Sequence, residues 1–67
     1  MIETRLYKRN NVGTPIFWSI REGVDRNVII RYGIVEKSCK TEGYRTLRKL
    51  KDEIKSRINQ KRKEGYK

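Results

Sequence analysis

Histidine is absent from this 67-residue chain, and cysteine, proline and tryptophan occur once each. Without histidine there is no Ser–His–Asp or Cys–His pairing of nucleophile and base, and no histidine-ligated metal site. The lone Cys39 has no partner for an internal disulfide and cannot hold zinc by itself. No covalent staple is therefore expected, and a reducing, cytoplasmic setting follows (a host cytoplasm if the source is viral). Long hydrophobic runs are missing too. The longest are Ile16–Trp18 and Val28–Ile30, against the roughly 20 residues that a membrane span needs. Met1–Arg5 lacks the apolar core of a signal peptide.

Other signatures of catalysis are also lacking. The glycines at 13, 23, 33, 43 and 65 punctuate turns, and none belongs to a phosphate-cradling Gly-x-x-x-x-Gly-Lys or Gly-x-Gly-x-x-Gly loop. Asp52 and Glu53 are adjacent on a predicted helix and point about 100° apart, so they are not a paired-carboxylate site. Cys39 lies near Lys37 and Lys40, but an inert thiol in a loop is the favoured reading. No enzymatic activity, cofactor or metal is expected.

Acidic residues are scarce. Eight Asp and Glu stand against eighteen Lys and Arg, a net charge of +10. Such a balance points to a polyanionic partner, nucleic acid first and an acidic protein or membrane surface second. Plain solubility is the alternative, since a small domain is comfortable at a net charge of about 2 to 8. The excess is uneven: residues 1–43 hold eight basic and five acidic side chains, residues 44–67 ten and three.

The chain has room for one domain, residues 1–67, with a single thin core. Its first part alternates apolar and polar residues between turns, which predicts strands. These run over Ile2–Lys8, from Pro15 through Arg21, over Asn27–Tyr32, and over Ile34–Ser38 after a bend at Gly33. From about Thr46 to Lys63 the period changes. Leu47, Leu50, Ile54 and Ile58 form one stripe at helical spacing, and Gly65 marks the stop. The expected fold is α+β: a four-stranded antiparallel meander with one C-terminal helix packed on the face that carries Ile16, Trp18, Ile20, Val28 and Ile30. Leu47, Leu50, Ile54 and Ile58 are expected to be buried.

Arg45, Arg48, Lys49, Lys55, Arg57, Lys61, Arg62 and Lys63 then surround the helix on its exposed sides. Several cations within reach of successive phosphates would gain affinity by releasing condensed counterions. The pairs Arg48–Asp52, Lys49–Glu53 and Gln60–Glu64 at i,i+4 offset only part of that charge. On the helix-free face of the sheet, Phe17 and Ile29 with Arg21 and Arg31 would stay open, to stack on bases, meet a protein partner or form a homodimer contact.

Four pieces of the sequence carry a resemblance: Tyr7–Lys8, Phe17–Ile20, Arg31–Val35 and Lys61–Tyr66. Together they resemble the WGR domain, a DNA-associated module of poly(ADP-ribose) polymerases, and the WGR-like modules at the N-terminus of some viral DNA ligases. The Trp-Gly-Arg that names the family corresponds here to Tyr32-Gly33-Ile34, so only the glycine is kept. The resemblance implies the same α+β fold, DNA rather than RNA as partner, and a stacking role for Tyr32 on a sugar or base. The functional expectation is a non-catalytic nucleic-acid-binding module that contacts the phosphate backbone through its basic helix. The alternative is a small interaction or inhibitor module that docks its helix or open sheet face on an acidic host protein.

Overall fold

The alternating first half of the chain does form strands. A computed structural model describes residues 3–37 and 39–67. It contains strands β1 (Thr4–Arg9), β2 (Pro15–Glu22), β3 (Asn27–Ile34) and β4 (Cys39–Arg45), followed by helix α1 (Leu50–Lys63). The strands make one antiparallel sheet in the order β1-β2-β3-β4, the expected meander. Ile2 and Ser38, placed in strands on sequence grounds, lie outside the described residues.

Register explains the core. Leu6 faces Trp18, and Ile20 faces Ile30 across the β2–β3 pair. Leu6, Trp18, Ile20, Val28 and Ile30 therefore share one face, and all five are buried. Full burial of an aliphatic side chain such as Val28 or Ile20 is worth about 1.5–3 kcal/mol. Leu50, Ile54 and Ile58 of α1 pack on this cluster as half-buried residues, with the helix lying over β2 and β3.

Two expectations fail. The fourth strand is Cys39–Arg45, not 34–38. Ile34 closes β3, and Val35–Lys37 turn, with Glu36 at φ 65° and the Lys37 N–H bonded to the Ile34 carbonyl at 3.1 Å. β4 is mostly polar and exposed, so the nearest apolar pair attracted the assignment. The helix also starts four residues later than expected. Thr46 is buried, its N–H bonds to the Arg26 carbonyl at 3.1 Å, and its Oγ1 accepts the Arg48 N–H at 3.1 Å. That local bond offers the backbone an alternative to the helix. Leu47 is consequently 93% exposed.

The ends of the elements follow local chemistry. Asn10 Oδ1 accepts the N–H groups of Val12 and Thr14 in the β1–β2 turn, at 3.1 and 2.9 Å. Between β2 and β3, Asp25 and Arg26 both take positive φ, at 53° and 62°, and Asn27 N–H closes on the Val24 carbonyl. This is the primed turn whose twist suits a hairpin. At the helix C-terminus Gly65, at φ 104°, donates to the Arg62 carbonyl while Tyr66 donates to that of Lys61. Those two bonds define a Schellman cap. The chain then returns to the sheet, where Lys67 and Tyr7 exchange both backbone hydrogen bonds at 2.8 Å.

Candidate nucleic-acid interface

The cations expected around the helix divide into several groups. Arg45 belongs to β4, and Arg48 and Lys49 precede the first helical turn. On the β4 side of the helix the cations are paired with carboxylates. Glu53, only 8% exposed, accepts hydrogen bonds from Tyr44 Oη at 2.5 Å, from Arg57 Nε at 3.3 Å and from Arg48 Nη1 at 3.4 Å. Arg57 also donates to Tyr44 Oη at 3.1 Å and lies over its ring. The hydrogen bond from Tyr44, then those from the arginine, hold the Glu53 carboxyl below its ordinary value despite burial. Burial first, then the bond to Glu53, raises Tyr44. Lys61 reaches Glu64 at 3.4 Å and lies above the rings of Trp18 and Tyr66, its stem covering apolar surface.

The β1 side of the helix is different. Lys51, Lys55 and Arg62 fall within about 40° of one another around the axis at 3.6 residues per turn and span about 16 Å along it. Together with Ile54, Ile58 and Asn59 they line a groove between α1 and the sheet. Among the described residues none of these three cations makes an ion pair, and the same holds for Lys49 and Lys63. The expected pairs Arg48–Asp52 and Lys49–Glu53 are not formed, because Glu53 turns inward to Tyr44, Arg48 and Arg57.

The two faces of the sheet sort their cations by type. Strand alternation and the register place Arg5, Arg9, Arg21, Arg31 and Arg45 on the helix-free face. The strand lysines Lys8 and Lys40, and the strand acids Glu22 and Glu42, fall on the helix face. On the helix-free side the counter-charge is Glu3, which contacts Arg5 and accepts the Ser19 hydroxyl at 3.1 Å.

Phe17 is on this face as expected, but it is not open. It is 8% exposed, with the Arg5 guanidinium 5.2 Å from the ring centroid. The exposed aromatic is its cross-strand neighbour Tyr7, at 47%. Tyr32 lies on the opposite face. Its hydroxyl donates to Glu42 at 3.1 Å, which raises its pKa, and it lines a groove of about 260 Å³ with Trp18, Arg57, Lys61 and Tyr66. The candidate residues thus fall into distinct places: Tyr32, Arg57 and Lys61 around that groove, Lys55 and Arg62 on the β1 flank, and Arg31, Arg45 and Phe17 across the sheet.

Sequence reasoning missed Lys51, Tyr7, Arg5 and Arg9. The last three do carry a signal, because residues 5, 7 and 9 alternate in step with 17, 19 and 21 once the β1–β2 turn is known. No grouping of three or more metal-ligating side chains occurs among the described residues, and no described helix is long and apolar enough to cross a membrane. Comparison with family models, curated proteins and solved structures returns no match to this chain.

Proposed function

We propose that this domain is a non-catalytic nucleic-acid-binding module whose helix contacts the phosphate backbone. The observation that carries the reading is the row of Lys51, Lys55 and Arg62 along one flank of α1, exposed and without ion pairs among the described residues. Cations already satisfied by a carboxylate gain little from a phosphate, whereas these three release condensed counterions without first breaking an ion pair. Lys63 lies about 100° around the axis from Arg62, and Lys49 precedes the helix, so neither joins the row. DNA is the preferred partner on the strength of the WGR resemblance. Phosphate contacts position a protein without reading sequence, so binding by the helix is largely indifferent to base order.

Fluorescence anisotropy with duplex DNA across a salt series tests this. Reversing Lys51, Lys55 and Arg62 to Glu weakens binding to every duplex alike. The slope of log affinity against log salt also becomes shallower, by about 0.9 for each phosphate that is no longer neutralised. Undetectable binding of any nucleic acid at low salt would overturn the reading and turn the cations toward an acidic protein.

A further inference from the structure

The helix-free face is a second charged surface, and its chemistry differs from that of the helix. All five of its strand cations are arginines, running from Arg9 at one corner of the sheet to Arg45 at the opposite one. At about 3.4 Å per residue and 4.8 Å per strand, that diagonal is roughly 30 Å long. Arginine presents a planar fork that grips a phosphate bidentately and also stacks on a base, which a lysine ammonium cannot do. Arg21 and Arg45 make no side-chain hydrogen bond or ion pair among the described residues. Arg5, Arg9 and Arg31 are aimed by contacts to Glu3 and Phe17, to the Gly13 carbonyl and to Cys39 Sγ. Between Arg31 and Arg45 the β4 edge carries only the small residues Thr41 and Gly43 on this side, so a ligand can approach the backbone.

We infer that this face binds a single strand of nucleic acid, with the arginines on its phosphates and Tyr7 stacking on a base. The proposal rests on the reading of the domain as a nucleic-acid binder and adds a second site of different preference. A duplex keeps its base faces stacked on one another and closed to Tyr7. A flexible single strand can follow the diagonal, and aromatic stacking needs bases whose faces are free. Net positive charge with one carboxylate on the face favours a polyanion over an apolar or basic partner.

The test uses labelled single-stranded DNA, single-stranded RNA and duplex DNA, with the full chain and two variants. In the first, Arg21→Glu and Arg45→Glu remove two cations that hold nothing else in the fold. Single-strand affinity is expected to fall about tenfold or more, with duplex affinity changed by less than about twofold. The single-strand salt slope becomes shallower by about 0.7 for each phosphate that is no longer neutralised. In the second, Tyr7→Ala lowers single-strand affinity about fivefold or more without changing the salt slope. Equal decreases for DNA and RNA place recognition in phosphate and base faces, and a larger decrease for one names the strand that the face takes. Circular dichroism shows whether each variant is folded, and Arg21→Gln with Arg45→Gln replaces the reversal if it is not. Single-strand binding that survives the face variant, or a duplex decrease of the same size, overturns this inference and leaves the helix reading standing. Absence of binding to every nucleic acid removes both.

Discussion

Tyr44 of β4 and Glu53 of α1 share a 2.5 Å hydrogen bond across the boundary between sheet and helix, and Arg57 donates to both oxygens from one turn further along. This cluster fixes the helix to the β4 edge, where the sheet offers little apolar surface. It also pairs both Arg57 and Arg48 with the one carboxylate of Glu53. Arg57 is thereby tied to the sheet, whereas Lys51, Lys55 and Arg62 on the β1 side make no ion pair among the described residues.

The cluster makes stability depend on pH at both ends. The Glu53 carboxyl is held below its ordinary 4.5, chiefly by the Tyr44 hydroxyl, so its contribution is present above about that pH and is lost as pH falls through the lowered value. Tyr44 is raised above 10.0, so its contribution is present below 10.0 and is lost as pH rises through the raised value. Chemical denaturation from pH 7 down to pH 2 should show an acid limb that Glu53→Gln flattens. An unchanged limb in that variant would assign the acid sensitivity to other carboxylates.

The Schellman cap supplies a second measurement. Gly65 at φ 104° has only the end of the Lys8 side chain near the place where a Cβ would stand, so the cost of Gly65→Ala is conformational. A left-handed residue with a Cβ costs about 1–2 kcal/mol. That destabilisation should appear in urea denaturation at unchanged slope. It should be accompanied by weaker protection of the Lys67 amide from hydrogen exchange, since the cap is what returns Lys67 to β1.

The elements most legible in the sequence were those with strict period. β2 and β3 are apolar at the alternate positions Trp18, Ile20, Val28 and Ile30 that lie under the helix, although Phe17 and Ile29 add apolar residues on the other face, and Leu50, Ile54 and Ile58 repeat at helical spacing. β4 was misplaced because this edge strand packs only Tyr44 against the core, so no apolar pattern records it. Leu47 fits the helical stripe yet lies outside the helix, because one buried threonine bonds the backbone into a turn. Basic character was legible from composition. The division of the cations was not, since it depends on strand register and on Glu53 turning inward.

Leu47 and Ile54 therefore make an informative pair. Both are aliphatic members of one sequence stripe, yet only Ile54 touches the core cluster. Leu47→Ser should change the unfolding free energy by no more than about 0.5 kcal/mol, as is usual for exposed positions. Ile54→Ala should cost about 2 kcal/mol, the low end of the range for buried aliphatics, because it is only half-buried. Equal effects would mean that the helix begins nearer Thr46 in solution.

Phe17 and Tyr7 are cross-strand neighbours on the arginine face, and they should separate stability from binding. Phe17 is buried under the Arg5 guanidinium, and Gly33 on its other side offers no side chain to close a gap. Phe17→Ala removes a ring that nothing replaces and should cost about 3 kcal/mol. That is a large share of the roughly 3–10 kcal/mol available to a domain of this size at 0.05–0.15 kcal/mol per residue. Tyr7 leaves about half its surface in water, and its backbone bonds to Lys67 survive truncation of the side chain. Tyr7→Ala should therefore lower the unfolding free energy by less than about 1 kcal/mol. Thermal melts of the two variants should show the larger destabilisation for Phe17→Ala. Their single-strand affinities, measured at a temperature where both remain folded, should show the larger decrease for Tyr7→Ala. The reverse order would make Phe17 the stacking residue and Tyr7 a packing one.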